Sequence, residues 1–118
     1  MIERIRLTAS AKNQLVNLKR KTGIEHYNAL CRHALCLSLA NPAPLVAEQY
    51  SFAGGLEIDW RVVSGGFEDL YVNLVSMAHP SAGSDEKEMR DLIVGHIHRG
   101  LAYLNNMSLE QITEMSRI

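Results

Sequence analysis

Apolar and polar positions alternate at the start of the chain and then change period. Ile5 and Leu7 are interleaved with Arg4, Arg6 and Thr8, the period of two of a half-buried strand. From Ser10, placed as an N-cap, the spacing becomes helical. Ala11, Leu15, Leu18 and Thr22 fall at i, i+4, i+7 and i+11, on one narrow stripe. Lys12, Val16, Lys19 and Arg20 occupy a flanking face, with Lys21 beside them at the helix end. Gly23 follows three cations, which suits a helix C-terminus: positive charge at the negative end of the dipole, then a residue free to take positive φ. Tyr27, Leu30, Cys31, Ala34 and Leu37 give a second helix its apolar face, and Asn41-Pro42 stops it.

The rest of the chain follows the same logic. Asn41 to Ala53 is expected to be a loop, because Pro42 and Pro44 forbid a helix interior. Leu56, Ile58, Trp60 and Val62 alternate with Glu57, Asp59 and Arg61, which predicts a second strand between Gly54-Gly55 and Gly65-Gly66. That strand can pair with the first, setting Arg4 and Arg6 against Glu57 and Asp59. Phe67, Leu70, Tyr71, Leu74, Val75 and Ala78 recur at helical spacing. Ser84 is placed to cap a long helix whose first turn is acidic and whose stripe is Met89, Leu92, Ile93, His96, Ile97, Gly100 and Leu104. Ser108 and Gln111 form a capping-box pattern for a last short helix. The expected fold is mainly α: a single helical domain over residues 1–118 with one or two short strands and a strand-helix-helix start.

Length and composition change the picture little. At 118 residues the core is marginal, so self-association would supplement it. Hydrophobic content of 47% and charged content of 21% fit a globular domain. No apolar run is long enough to span a membrane and MIERIRLTASAK lacks an apolar h-region, so a cytoplasmic location is expected. The net charge of −1 hides an asymmetry. Residues 1–40 carry seven cations against two acids, and the remainder five against eleven, so the halves are +5 and −6. Either the basic half meets an anionic partner, or salt bridges join the two halves.

Candidate chemistry is sparse. His96 and His98 project about 200° apart on a helix, so they cannot share a metal. His96 has the phase of a core residue, and His98 with Arg99 reads as surface. His26, His33 and His79 show no metal-ligand spacing, and no phosphate-binding glycine loop or nucleophile elbow is present. Cys31 and Cys36 lie about 140° apart on one helix and read as two buried thiols without redox or metal duty. No cofactor or metal is expected, and no catalytic residue emerges.

The run A-K-x-Q-L-x-x-L-K-R-x-T-G-I (Ala11 to Ile24), N-x-L-C-R-x-A-x-C-x-S-L (Asn28 to Leu39) and H-x-H-R-G (His96 to Gly100), followed by Tyr103-Leu104, resembles the DndE family of DNA sulfur modification proteins. The resemblance implies a non-catalytic DNA-binding component of a bacterial DNA phosphorothioation system, within restriction-modification biology. It also implies a homo-oligomer, with a tetramer favoured, that meets double-stranded DNA, with a preference for nicked duplex, and other proteins of the system. The residues supply the contact. Lys12, Lys19, Arg20 and Lys21, with Arg6 and Arg4, are the expected phosphate-binding set. Two alternatives remain at this level. One is a ribbon-helix-helix regulator reading bases through Arg4, Arg6 and Thr8. The other is a protein-interaction adaptor that does not bind DNA.

Overall fold

A computed structural model describes residues 1–46, 48–83 and 85–115. Strand β1 (Arg4–Leu7) leads into α1 (Ala9–Thr22) and α2 (Tyr27–Leu39). After a loop come β2 (Leu56–Asp59), the short α3 (Trp60–Ser64), α4 (Glu68–Ala78), the long α5 (Glu86–Asn106) and α6 (Leu109–Met115). The two strands pair antiparallel with Arg4 opposite Asp59 and Arg6 opposite Glu57, the pairing expected from their charges. The fold is mainly helical, with one two-stranded sheet.

Helix α5 is the axis of the molecule. Met89, Ile93, Val94, Gly95, His96, Ile97, Gly100, Leu101 and Leu104 are all buried, more than the single stripe the sequence predicts. Burial on several sides is what a central helix requires, and α1, α2, α4 and β1 all pack on it. Its contact with α2 is the most extensive in the molecule. It depends on Gly100, where a Cβ would stand 1.9 Å from the Ala34 carbonyl oxygen. Gly95 likewise faces Leu45 of the loop, so both glycines serve packing within this chain. Asp85 is the N-cap residue of α5; the expected cap Ser84 lies outside the described residues.

Three local expectations need correction. The N-cap of α1 is Thr8, not Ser10: the Thr8 hydroxyl accepts from the Ala11 amide at 3.1 Å. The single residue between β1 and α1 therefore caps the helix. The second strand stops at Asp59. Trp60, Val63 and Ser64 are the buried positions beyond it, a helical spacing, while Val62 is exposed. Gly65 at φ 64° and Gly66 at φ 88° close that turn, their amides donating to the Val62 and Arg61 carbonyls. On α2 the fully buried set is Leu30, Cys31, Ala34, Leu35 and Ser38, so the core-facing stripe is rotated from the expected one and Cys36 is exposed. Other local signals hold. Gly23 takes φ 76° and donates to Lys19. Ser108 and Gln111 form the reciprocal capping box at 3.1 and 2.8 Å.

Candidate nucleic-acid interface

Because Ala11, Leu15 and Leu18 turn the apolar side of α1 into the core, the flanking face is left to water. It carries Lys12, Val16, Lys19 and Arg20, all exposed, with Lys21 exposed at the end. Lys12 and Lys19 are two turns apart, about 10 Å along the axis. The Lys12 amide donates to the Thr8 carbonyl at 3.0 Å, and its ammonium extends into solvent. Lys19 sits 5.7 Å from the centre of the Tyr27 ring, and Arg20 donates to the Asn17 side chain at 3.0 Å. Lys21 donates to the Met107 carbonyl, which ties the end of α1 to the end of α5. No acid occurs between Arg6 and Glu25 in the sequence, so this helix carries no carboxylate of its own.

Arg4 and Arg6 belong to a different surface. Arg4 lies 3.3 Å from Asp59 and 3.9 Å from Glu57. Arg6 lies over the Phe52 ring at 5.2 Å. Both line a cavity of about 640 Å³ together with Arg90, Glu57, Glu86 and Asp91. This mixed-charge surface flanks the first half of α5, whereas Lys21 marks the far end of that helix. The six cations expected to act together are thus split into a cationic helix face and a strand whose arginines already have protein partners.

The H-x-H-R-G segment is built into the structure rather than presented on it. His98 and Arg99 are half-buried, not surface groups. The His98 Nδ1 hydrogen bonds the Val94 carbonyl at 2.8 Å. Its Nε2 therefore carries the lone pair that accepts from the Thr8 amide and hydroxyl, each at 3.2 Å, at the joint between β1 and α1. Tyr50 stacks on the same ring at 4.3 Å. Arg99 donates to the Ser38 hydroxyl, the Ser38 carbonyl and the Ala43 carbonyl, each at 2.8 Å, and so pins the end of α2 and the start of the following loop. His96 is a core residue, within 2.7 Å of Ser38 Oγ and of His79 Nε2. Burial, then the neighbouring His79 and Arg99, holds its pKa down to about 4. Burial lowers His98 too. Helical spacing on α5 carries the signal for a buried His96; nothing local marks His79 and Ser38 as its partners, or Thr8 as the partner of His98.

Sulfur chemistry finds a poor setting at Cys31. Burial pushes its thiol up to about 12, and a nucleophilic cysteine requires the thiolate. Cys36 is exposed, with its sulfur 4.0 Å from the Tyr71 hydroxyl. No group of three His, Cys, Asp or Glu among the described residues is arranged to hold a metal ion.

A helical domain with a small antiparallel sheet, and one cationic helix turned to solvent, is the class these features define. The family model for DNA sulphur modification protein DndE matches residues 4–111, and the chain belongs to that family. No curated protein matches the chain. Among solved structures it is similar to DndE from Escherichia coli B7A, described as involved in DNA phosphorothioation modification. The identity is 23%, covering 88% of this chain and 98% of that one, with a TM-score of 0.74. A mutant DndE involved in DNA phosphorothioation gives 21% identity, 91% and 100% coverage and a TM-score of 0.71. At these identities the likeness establishes a shared fold.

Proposed function

We propose that the protein is a non-catalytic DNA-binding component of a DNA phosphorothioation system. It grips the phosphate backbone through α1. The observation that carries this reading is the exposed, acid-free face of Lys12, Lys19 and Arg20, with Lys21 beside it. Lysines on exposed stems contact phosphates without reading bases, and each contact releases condensed counterions. Affinity should therefore depend little on sequence and fall steeply with salt. The family resemblance favours nicked duplex as the preferred form. It also favours partners within the modification machinery and a homo-oligomer, with a tetramer favoured. Exposed apolar residues on α4 supply a face for self-association, and several α1 faces on one assembly would multiply a weak contact. The base-reading alternative has less support, because Arg4 is engaged by Glu57 and Asp59.

The test is Lys12→Ala with Lys19→Ala, titrated against nicked, intact and single-stranded DNA of random sequence at several salt concentrations. These two positions are chosen because the Lys21 ammonium is already held by Met107. Affinity should fall on every sequence alike. The log–log salt slope should become shallower by about 1 for each lost phosphate contact per engaged subunit. An assembled double variant with the affinity and slope of the unaltered protein would move the site elsewhere, the exposed Arg61 and the half-buried Arg90 being the next cations to examine.

A further inference from the structure

Helix α4 is the most lightly held of the longer helices. Val75 is its one fully buried residue. At its N-terminal end the Ser64 hydroxyl donates to Glu68 at 3.2 Å. At its C-terminal end stands His79, the C-cap residue, half-buried and joined to His96 of α5 through their two Nε2 atoms at 2.7 Å. Behind His96 the chain of contacts continues to Ser38 at 2.7 Å and to Arg99 at 2.8 Å.

The proton positions follow from the partners. Arg99 has only donors, so the Ser38 hydroxyl oxygen accepts from it. His96 Nδ1 is the acceptor placed to take the Ser38 proton. His96 must then carry its proton on Nε2 and donate it to His79 Nε2, which holds a lone pair. The relay is satisfied with both rings neutral, and it has one proton between the two Nε2 atoms. A second proton there would set two N–H groups against each other at 2.7 Å.

We propose that the His79–His96 contact is a pH-sensitive latch that holds the C-terminal end of α4 on α5 and releases it when the pair takes up a proton. The buried direction offers the incoming charge nothing: α2 presents the neutral Ser38, and Arg99 of α5 is a cation. The open direction does offer something. His79 lines a cavity of about 550 Å³ together with Glu88 and Asp91 of α5 and with Glu48 and Tyr50 of the preceding loop. A protonated His79 ring therefore turns from His96 toward carboxylates. No charged residue lies between Leu70 and Ala78, and the acids of α4, Glu68 and Asp69, stand at its far end from His79. With the latch open, Val75 and the contacts of Tyr71 with Trp60 and Cys36 remain to hold the helix.

Hydrogen exchange of the full chain at about pH 7.5 and about pH 5.5, corrected for intrinsic rates, tests this. Protection across residues 68–83 should fall at least about tenfold at the lower pH, while α2 and the second half of α5 change less than about twofold. His79→Gln keeps an acceptor for the His96 N–H but cannot be protonated, and its α4 should lose the pH response. A flat α4 profile in the unaltered protein, or an equal loss in His79→Gln, overturns the latch. An NMR titration of the unaltered protein gives the same decision without a variant. The imidazole signals of His79 and His96 should move together with the α4 amides, and histidines that titrate while α4 stays still would overturn the proposal.

Discussion

At the scale of single residues, the histidines of the long helix act as structural acceptors, and this gives a signed pH dependence. His96 is held near 4 against an ordinary value of 6.5, and His98 is displaced in the same direction, both chiefly by burial. A lowered folded value means that the unfolded chain binds the proton more readily. Their contribution is therefore complete above about pH 6.5 and falls below it, for His96 as the pH drops toward about 4. For His96 that loss is on the order of 3 kcal/mol. Urea unfolding at successive pH values should show the midpoint falling through this window, and a midpoint flat from 7 to about 4.5 would contradict it. Arg99 gives a second expectation. Its planar fork satisfies the hydroxyl and carbonyl of Ser38 and the carbonyl of Ala43 at once. Lysine cannot reproduce that geometry, so Arg99→Lys should cost about 2–3 kcal/mol in the same assay. The cysteines differ in kind. A thiol reagent should label Cys36 and spare Cys31 in the folded protein. Cys31→Ala should cost about 1–3 kcal/mol, and Cys36→Ala less than about 0.5 kcal/mol.

At the scale of elements, the crossing of α2 and α5 is the joint on which the rest depends, and Gly100 sets how closely they meet. Gly100→Ala would place a methyl group 1.9 Å from the Ala34 carbonyl oxygen, and backbone cannot move aside as a side chain can. We expect a loss of about 3 kcal/mol or more, or failure to fold, read by circular dichroism and thermal unfolding. The elements that were legible in the sequence are those specified by neighbours along the chain. The α1 stripe, the Gly23 cap and the Ser108–Gln111 box each arise within a turn or two. The β2–α3 boundary was not legible in this way. Leu56 to Val62 alternates well enough for a strand, yet Trp60, Val63 and Ser64 also have helical spacing, and the core chose the latter. The cationic face of α1 could be read because burial of Ala11, Leu15 and Leu18 fixes what remains outside. The Arg4–Asp59 contact could be read too, from the opposite charges of two alternating strands, but the partners of His98 and Arg99 could not, because Thr8 and Ser38 are each more than fifty residues away and no pairing pattern links them.

At the scale of the whole molecule, the charge asymmetry is resolved only in part by internal pairing. Arg4 with Glu57 and Asp59, and the Met1 ammonium with Glu86, join the basic start to the acidic remainder, and all are exposed pairs of small energetic value. The face of α1 is left to solvent. The chain also leaves a second kind of surface open. Phe67, Leu70, Leu74 and Met77 are 63, 52, 38 and 77% exposed and fall within a narrow arc along α4. On the proposed reading, this contiguous apolar stripe is the surface for a protein contact. A second copy of this chain is a suitable occupant. With no charge between Leu70 and Ala78, two α4 helices laid antiparallel bring Leu70 against Leu74 and Phe67 against Met77 without opposing like charges. Leu70→Glu with Met77→Glu should then yield a folded monomer, with circular dichroism unchanged and light scattering reduced to the mass of one chain. Because each monomer keeps its α1 face, DNA binding should persist but weaken, with a shallower salt slope as fewer subunits engage one duplex. An unaltered protein that scatters as a monomer at micromolar concentration would remove the assembly. A double variant that stays assembled would move the interface off α4.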